Sequence, residues 1–429
     1  MIRRSLGLFI GLFLLILAVG AVLGVPFTTA RLLEAAAYAL IALGLNIQWG
    51  YGGLFNFGIM GFMMLGGFAV TFISYPVNPE FWGSDGPWML GRALLAFAFG
   101  ALLVFGARKS TRLGIRGGWH VALTILAWFT AYVIYRSQID PAAAYIESSA
   151  GFVGGLGAHP VLGWLFGGVL AAAIAYIVGK ICLGLRTDYL AIATIGISEI
   201  IRALIKNMDW LTRGTLTVSP VPWPSPLAQD YMAEGYGDTA SLLLSRGGFL
   251  ALVLLVLAIV FVLIERAYGG PWGRMMRAIR DNHIAAASMG KNVTARQLEI
   301  FIFGSVLMGI GGAILVSFVQ IHDPSSYQPI NHTFLIWVMV IVGGAGNNWG
   351  ALLGAIGIYF VWMISEPLAR AIFELVSYVS TWAGIGPIPE IESRSAQMRV
   401  FVLGVVISVA LRYAPRGLIP EYAGPRARN

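Results

Sequence analysis

Residues 248–264 read GFLALVLLVLAIVFVLI, a run with no charged side chain in it. A membrane-spanning helix needs about 20 mostly apolar residues. This run, with Arg246 before it and Glu265 and Arg266 after it, is the centre of one. Further apolar stretches lie on both sides, at about 6–23, 32–49, 54–74, 90–107, 119–135, 161–183, 188–206, 298–319, 332–343, 350–366 and 399–412. Alternating segments of about ten residues, the mark of an outer-membrane barrel, do not occur. The expected fold is therefore all-α: a polytopic helical membrane protein of about 8–12 transmembrane segments, forming one transmembrane domain over residues 1–429. Glycines interrupt two regions, Gly50, Gly52 and Gly53 in one and Gly343, Gly344, Gly346 and Gly350 in the other. Segments broken in this way are expected to be discontinuous or re-entrant helices.

Composition agrees. The 429 residues are 58% hydrophobic and 11% charged, against about 25% charged in a soluble domain. That excludes an ordinary globular enzyme, and the apolar content excludes a disordered chain. The net charge of +8 comes from 28 Lys and Arg against 20 Asp and Glu. Placing the N-terminus inside puts most of the basic residues in inside segments, among them Arg108, Lys109, Arg112, Arg116, Arg274, Arg277, Arg280, Arg426 and Arg428. Basic residues gather there for topological reasons, so the charge does not imply nucleic acid. The run after Arg3 and Arg4 resembles a secretory signal, but its length of about 18 apolar residues favours a retained first span. Cys182, the one cysteine, reads as a packed thiol, and the scattered histidines propose no metal site.

Three outside segments, 137–160, 207–247 and 367–398, are long and read as loops, either solvated connectors or a docking surface. One inside loop differs from the rest. Residues 265–297 read ERAYGGPWGRMMRAIRDNHIAAASMGKNVTARQ. Arg274 to Ala287 is expected to form one helix, with Met275, Ala278, Ile279 and Ala286 on a shared apolar face. Gly290 is expected to stop it in the left-handed position. A partly apolar helix on the inside rim needs a protein surface, its own or a partner's.

The spacing Ala285-Ala286, then Gly290, then Ile300 resembles the EAA loop of ABC importer permeases, with Ile284 where an acidic residue is usual. Three more stretches resemble the branched-chain amino-acid permeases of the M type: ALGLNIQWGYGGLFNFGIMGF from Ala42, LRTDYLAIATIGISEIIR from Leu185, and IVGGAGNNWGALLGA from Ile341. Departures include Asn56 and Ile59 in the first stretch, LTRGTLTV from Leu211, and a longer segment over 108–160. The resemblance implies an importer with a second, related permease, two cytoplasmic ATPase subunits and a periplasmic binding protein. ATP would be used by those partner subunits, and no cofactor would be bound by this chain. By position, Ile284, Ala285, Ala286 and Gly290 would contact the ATPase, with Arg277, Arg280 and Asp281 at the rim, where charges steer docking.

Polar residues inside a membrane are costly and face a bundle interior or a cavity. On that ground Asn46, Gln48, Asn56, Thr194, Ser198 and Glu199 are candidates for a translocation pathway. Glu199 and Arg202, three residues apart, can pair on one helix face, as a structural pair or as a substrate contact. The Gly-Lys pairs, Gly179-Lys180 and Gly290-Lys291, continue with Ile181 and Asn292, so neither makes a phosphate-cradling P-loop. A non-catalytic permease is expected, for branched-chain amino acids. Other amino acids, urea or short amides are alternative substrates, and an ion-coupled secondary transporter is the alternative class.

Overall fold

The computed structural model describes residues 2–113, 117–384 and 386–421. Arg116, Arg426 and Arg428 of the charge reading lie outside them. The chain is an all-α polytopic membrane protein, and nine helices among the described residues are long and apolar enough to cross a membrane. In chain order the main helices are α1 (Ile2–Leu23), α2 (Val25–Leu45), α3 (Ile59–Ser74), α4 (Gly86–Arg108), α5 (Gly118–Ser149), α6 (Pro160–Cys182) and α7 (Thr187–Lys206). They continue as α8 (Asp238–Gly269), α9 (Pro271–Asp281), α10 (His283–Ser288), α11 (Val293–Val319), α12 (Leu335–Gly343), α13 (Asn348–Trp382) and α14 (Ile391–Tyr413).

The core is a bundle of α2, α3, α6 and α11, with α8, α12 and α13 packed around α2. Apolar surface gains nothing by leaving lipid, so these helices are held by close backbone packing and interhelical hydrogen bonds. Glycine makes the approach possible. A Cβ on Gly66 of α3 would stand 1.8 Å from the Gly309 carbonyl oxygen of α11, and one on Gly312 would stand 2.1 Å from that of Met63.

Both glycine-interrupted regions are broken spans. α2 passes into a π-helical turn, Asn46–Tyr51, the chain loses helical structure up to Gly58, and α3 resumes at Ile59 with 16 residues. In the other region a π-helical turn at Ile330–Phe334 and the nine residues of α12 make a short helix that ends at Gly343, and the chain turns through 344–347 before α13 begins at Asn348. Such turns are rare and favour functional sites.

Hydropathy misplaced several boundaries. Residues 137–160 are not a loop throughout, because α5 runs on to Ser149. Residues 207–247 hold the short helices Asp209–Thr212 and Ala228–Ala233 and the start of α8. Most of 367–398 is helix: α13 continues through Pro367 to Trp382, and α14 begins at Ile391. With 35 residues, α13 is about 52 Å long, beyond a hydrocarbon core of about 30 Å. Its outer turns need not be apolar to be helical. The segment 265–297 likewise holds two helices rather than one from Arg274 to Ala287. Asn282, extended at φ −156° and ψ 94°, breaks it.

Helices α4 and α5 form a hairpin that packs on itself and hardly touches the bundle. Apolar side chains face outward along both members, and a groove of about 440 Å³ between them is lined by Phe97, Val104, Phe105, Trp128, Tyr132 and Tyr135. At its base Asn78 donates to the carbonyls of Ala150 (3.0 Å) and Phe152 (2.8 Å), which ties the entering and leaving chain together.

Candidate functional site: two broken spans and a rim

The polar residues of the first broken span lie in packed protein. Asn46, Gln48 and Asn56 are each fully buried. Gln48 donates to the Phe301 carbonyl (2.8 Å) and the Ser305 hydroxyl (3.1 Å), and accepts from Asn56 (2.8 Å). Asn56 also accepts from the Gly58 amide (2.8 Å), and its carbonyl accepts from the Trp337 indole (3.2 Å). Asn46 donates to Asn348 (2.9 Å) and accepts from the Gly346 amide (2.8 Å), while Asn348 donates to Glu265 (2.9 Å). Buried amides must be paired, and these pairs bind the first broken span to α11 and to the second region. Sequence reasoning passed over Asn348, Glu265 and Trp337. The pair Asn347-Asn348 within an apolar stretch was the available signal.

Thr194 and Ser198 are buried on the face of α7 turned to α3. Thr194 accepts from the Phe57 amide (3.0 Å) and holds the non-helical segment against α7. Glu199 and Arg202 form an ion pair of 2.7 Å, with side chains 37% and 32% exposed. Arg202 also donates to the Tyr327 carbonyl (3.0 Å). Facing lipid would be costly for an ion pair that is about one-third exposed, which favours protein or water against this face of α7. Beside the Thr194 contact lies an aromatic group: Trp337 stacks on Phe57 (4.5 Å between centroids) and packs on Trp49 (4.8 Å) and Phe55 (5.6 Å). Trp49, Phe55 and Phe57 are partly exposed.

The rim between α8 and α11 is built by α9 and α10. Met276 and Ile279 of α9 are buried, and Tyr268 stacks on Tyr51 at 3.8 Å. Asn282 caps α10 by accepting from the Ala285 amide (3.0 Å), and Asn292 caps α11 in the same way (3.1 Å). Between them Gly290 has φ +76° with nothing within 4 Å of a Cβ, as the sequence suggested. Ala286 is buried, whereas Ile284 is 68% and Met289 80% exposed, and Ala285 is exposed. Asp281 is exposed at the rim, and Arg277 makes a long contact of 3.5 Å with the Tyr268 carbonyl. Arg280 points inward instead. It donates to the Gly50 carbonyl and pairs with Glu421 (2.9 Å) and Asp281 (3.0 Å). Burial works against its charge, but the bonds to Glu421 and Asp281 outweigh this and hold its pKa above the ordinary value.

An all-helical membrane bundle with two interrupted spans packed on each other is the build of a transport permease. Residues 27–142 and 120–411 match the family model described as branched-chain amino acid transport system / permease component, and the chain belongs to that family. It is 30% identical over 200 residues to the high-affinity branched-chain amino acid transport system permease protein LivM of Salmonella typhimurium, covering 44% of this chain and 47% of that protein. It is 31% identical over 200 residues to LivM of Escherichia coli, with the same coverage. In these two comparisons the chain spans about half the length of the relative. A probable branched-chain amino acid transport permease protein LivM of Methanocaldococcus jannaschii is 23% identical over 391 residues, covering 91% of this chain and 92% of that one. No solved structure matches.

Proposed function

We propose that the chain is the membrane-spanning, non-catalytic subunit of an ATP-binding-cassette importer for branched-chain or related amino acids. Two cytoplasmic ATPase subunits drive it, a second related permease completes the pathway, and a periplasmic binding protein delivers substrate. Its place is the bacterial inner membrane, with both termini and the α9–α10 rim in the cytoplasm and the outer connectors in the periplasm.

The observation that carries this reading is α10. It is a separately capped helix on the rim, with Ile284 and Met289 exposed. The bundle does not cover these side chains, and a groove on an ATPase would. Arg277 and Asp281 flank that surface, and Ala285, Ala286 and Gly290 shape it. The open side formed by α7 and the broken spans is the half-pathway, completed by the second permease. Thr194, Ser198 and Glu199 belong to its α7 wall, while Asn46, Gln48 and Asn56 brace it from behind. Partly exposed aromatic rings favour an apolar side chain over urea or a short amide. An ion-coupled secondary transporter would leave α10 without a role.

ATP-dependent leucine uptake in proteoliposomes, with the chain co-expressed with its neighbouring permease, ATPase and binding-protein genes, tests this. The expected result is uptake in wild type. In Ile284→Asp, which sets a charge on the exposed apolar surface of α10, uptake and co-purification of the ATPases are both lost. Uptake without any ATPase would refute the importer reading. ATPase coupling without leucine uptake would move the substrate to urea or another amino acid.

A further inference from the structure

We infer that the C-terminal tail, residues 414–421, is a working part of the coupling apparatus, with Glu421 a positioning residue that acts through Arg280. This rests on the importer reading above.

The tail lies along the end of the second broken span. The Leu418 amide donates to the Val342 carbonyl (2.8 Å) and the Ile419 amide to that of Gly343 (2.9 Å). Helix α12 ends at Gly343, so these bonds occupy carbonyls that a helix end leaves unpaired. Asn347 fixes the next residue by donating to the Pro420 carbonyl (3.2 Å). The fit leaves no room for a side chain. Gly344 has φ +121°, and a Cβ there would stand 2.3 Å from the Ile419 carbonyl oxygen. Gly417 has φ +82°, and its Cβ would stand 2.2 Å from the Gly344 Cα.

Having crossed α12, the tail delivers Glu421 to Arg280 (2.9 Å). Arg280 is the last arginine of α9, two residues before the break that starts α10. Its guanidinium also holds the Gly50 carbonyl at the end of the first broken span. Backbone comes close as well: Gly53 has φ +68°, and a Cβ on it would stand 3.1 Å from the Arg280 Cγ. Gly346, in the turn between α12 and α13, would place a Cβ 2.9 Å from the Glu421 carboxylate and 3.3 Å from the Arg280 guanidinium. The end of each broken span, the rim helices and the tail thus meet on one cation. Movement of α9–α10 reaches both breaks through Arg280, and Glu421 keeps that cation turned inward rather than toward the rim.

The test is the ratio of ATP hydrolysed to substrate taken up by the reconstituted complex, in wild type, Glu421→Gln and Glu421→Asp. In Glu421→Gln the ATPases are expected to co-purify and hydrolyse ATP as before, while the ratio rises about tenfold. Glu421→Asp, which keeps the charge that Arg280 pairs with, is expected to recover much of the coupling, which a merely structural tail would not predict. A wild-type ratio in Glu421→Gln overturns this inference alone. So does loss of ATPase co-purification that Glu421→Asp does not restore. A wild-type complex without ATP-dependent uptake overturns the importer reading, and this inference with it.

Discussion

Replacing Gln48 by methionine isolates the hydrogen bonds that hold the first broken span. Methionine is chosen because a Cβ on Gly304 would stand 2.4 Å from Gln48 Cγ and 2.7 Å from Cδ, so the site has no space for a branched side chain. An unbranched replacement keeps the shape and removes the amide. Three bonds are lost: to the Phe301 carbonyl, to the Ser305 hydroxyl, and from Asn56. The Phe301 carbonyl and Ser305 still have each other (2.8 Å). Asn56 has only the Met308 sulfur, at 4.0 Å, left for its amide protons. An interhelical hydrogen bond in a membrane protein contributes about 0.6 kcal/mol and at most about 1.7, and an orphaned buried donor costs about 1–3 kcal/mol. The orphaned Asn56 dominates, so the expected loss is about 2 kcal/mol, or roughly 30-fold in the unfolding equilibrium. Reversible unfolding by SDS in mixed micelles measures it, with Asn56→Ala and the double variant closing a cycle. In the double variant the donor is gone, and part of the loss should return. A Gln48→Met protein within about 0.3 kcal/mol of wild type would show that these bonds do not hold the break.

Gly66→Ala sets a methyl group against the Gly309 carbonyl. Overpacking of this kind costs about 1–3 kcal/mol, so the variant should lose monodispersity in size-exclusion chromatography, while Gly106→Ala, with open space around it, should behave as wild type. At Gly290 the space is open and only φ +76° constrains the residue, so Gly290→Val carries a local penalty of about 1–2 kcal/mol and Gly290→Asn much less. Pull-down of the ATPases should weaken about tenfold for valine and little for asparagine. Equal binding by both would remove the left-handed turn from the account.

Where a residue touches lipid, its environment is written in its own side chain, and the apolar stretches matched helices. Both glycine-interrupted regions leave the helix at their glycines, Gly52 and Gly53 in one and Gly344 and Gly346 in the other, and each sets a short helix beside a full-length one. Helical turns outside the membrane carry no such mark, which is why the ends of α5 and α13 were read as loops. The break at Asn282 was legible in principle, because an asparagine three residues before Ala285 is a helix cap. The buried amides were not. Asn46 meets Asn348 across 302 residues of chain and Gln48 meets Phe301 across 253, and no local pattern names such partners. Their polarity was readable and suggested a pathway, but the partners they hold across the bundle were not. Glu199 and Arg202, one helical turn apart, were readable as a pair.

The hairpin of α4 and α5 has a bearing on topology and on engineering. It crosses the membrane twice, so removing it leaves every other segment on its original side. Its roots already lie side by side, pinned by Asn78 to Ala150 and Phe152. A short turn can close the gap provided it keeps Phe81 and Ile146, which pack with Phe72, Trp210 and Leu211 at the root. Beyond that root the bundle that carries the broken spans makes little contact with the hairpin. A permease of this plan can therefore gain or shed the hairpin as a cassette, trading bilayer perimeter while the fold around the pathway stays as it is.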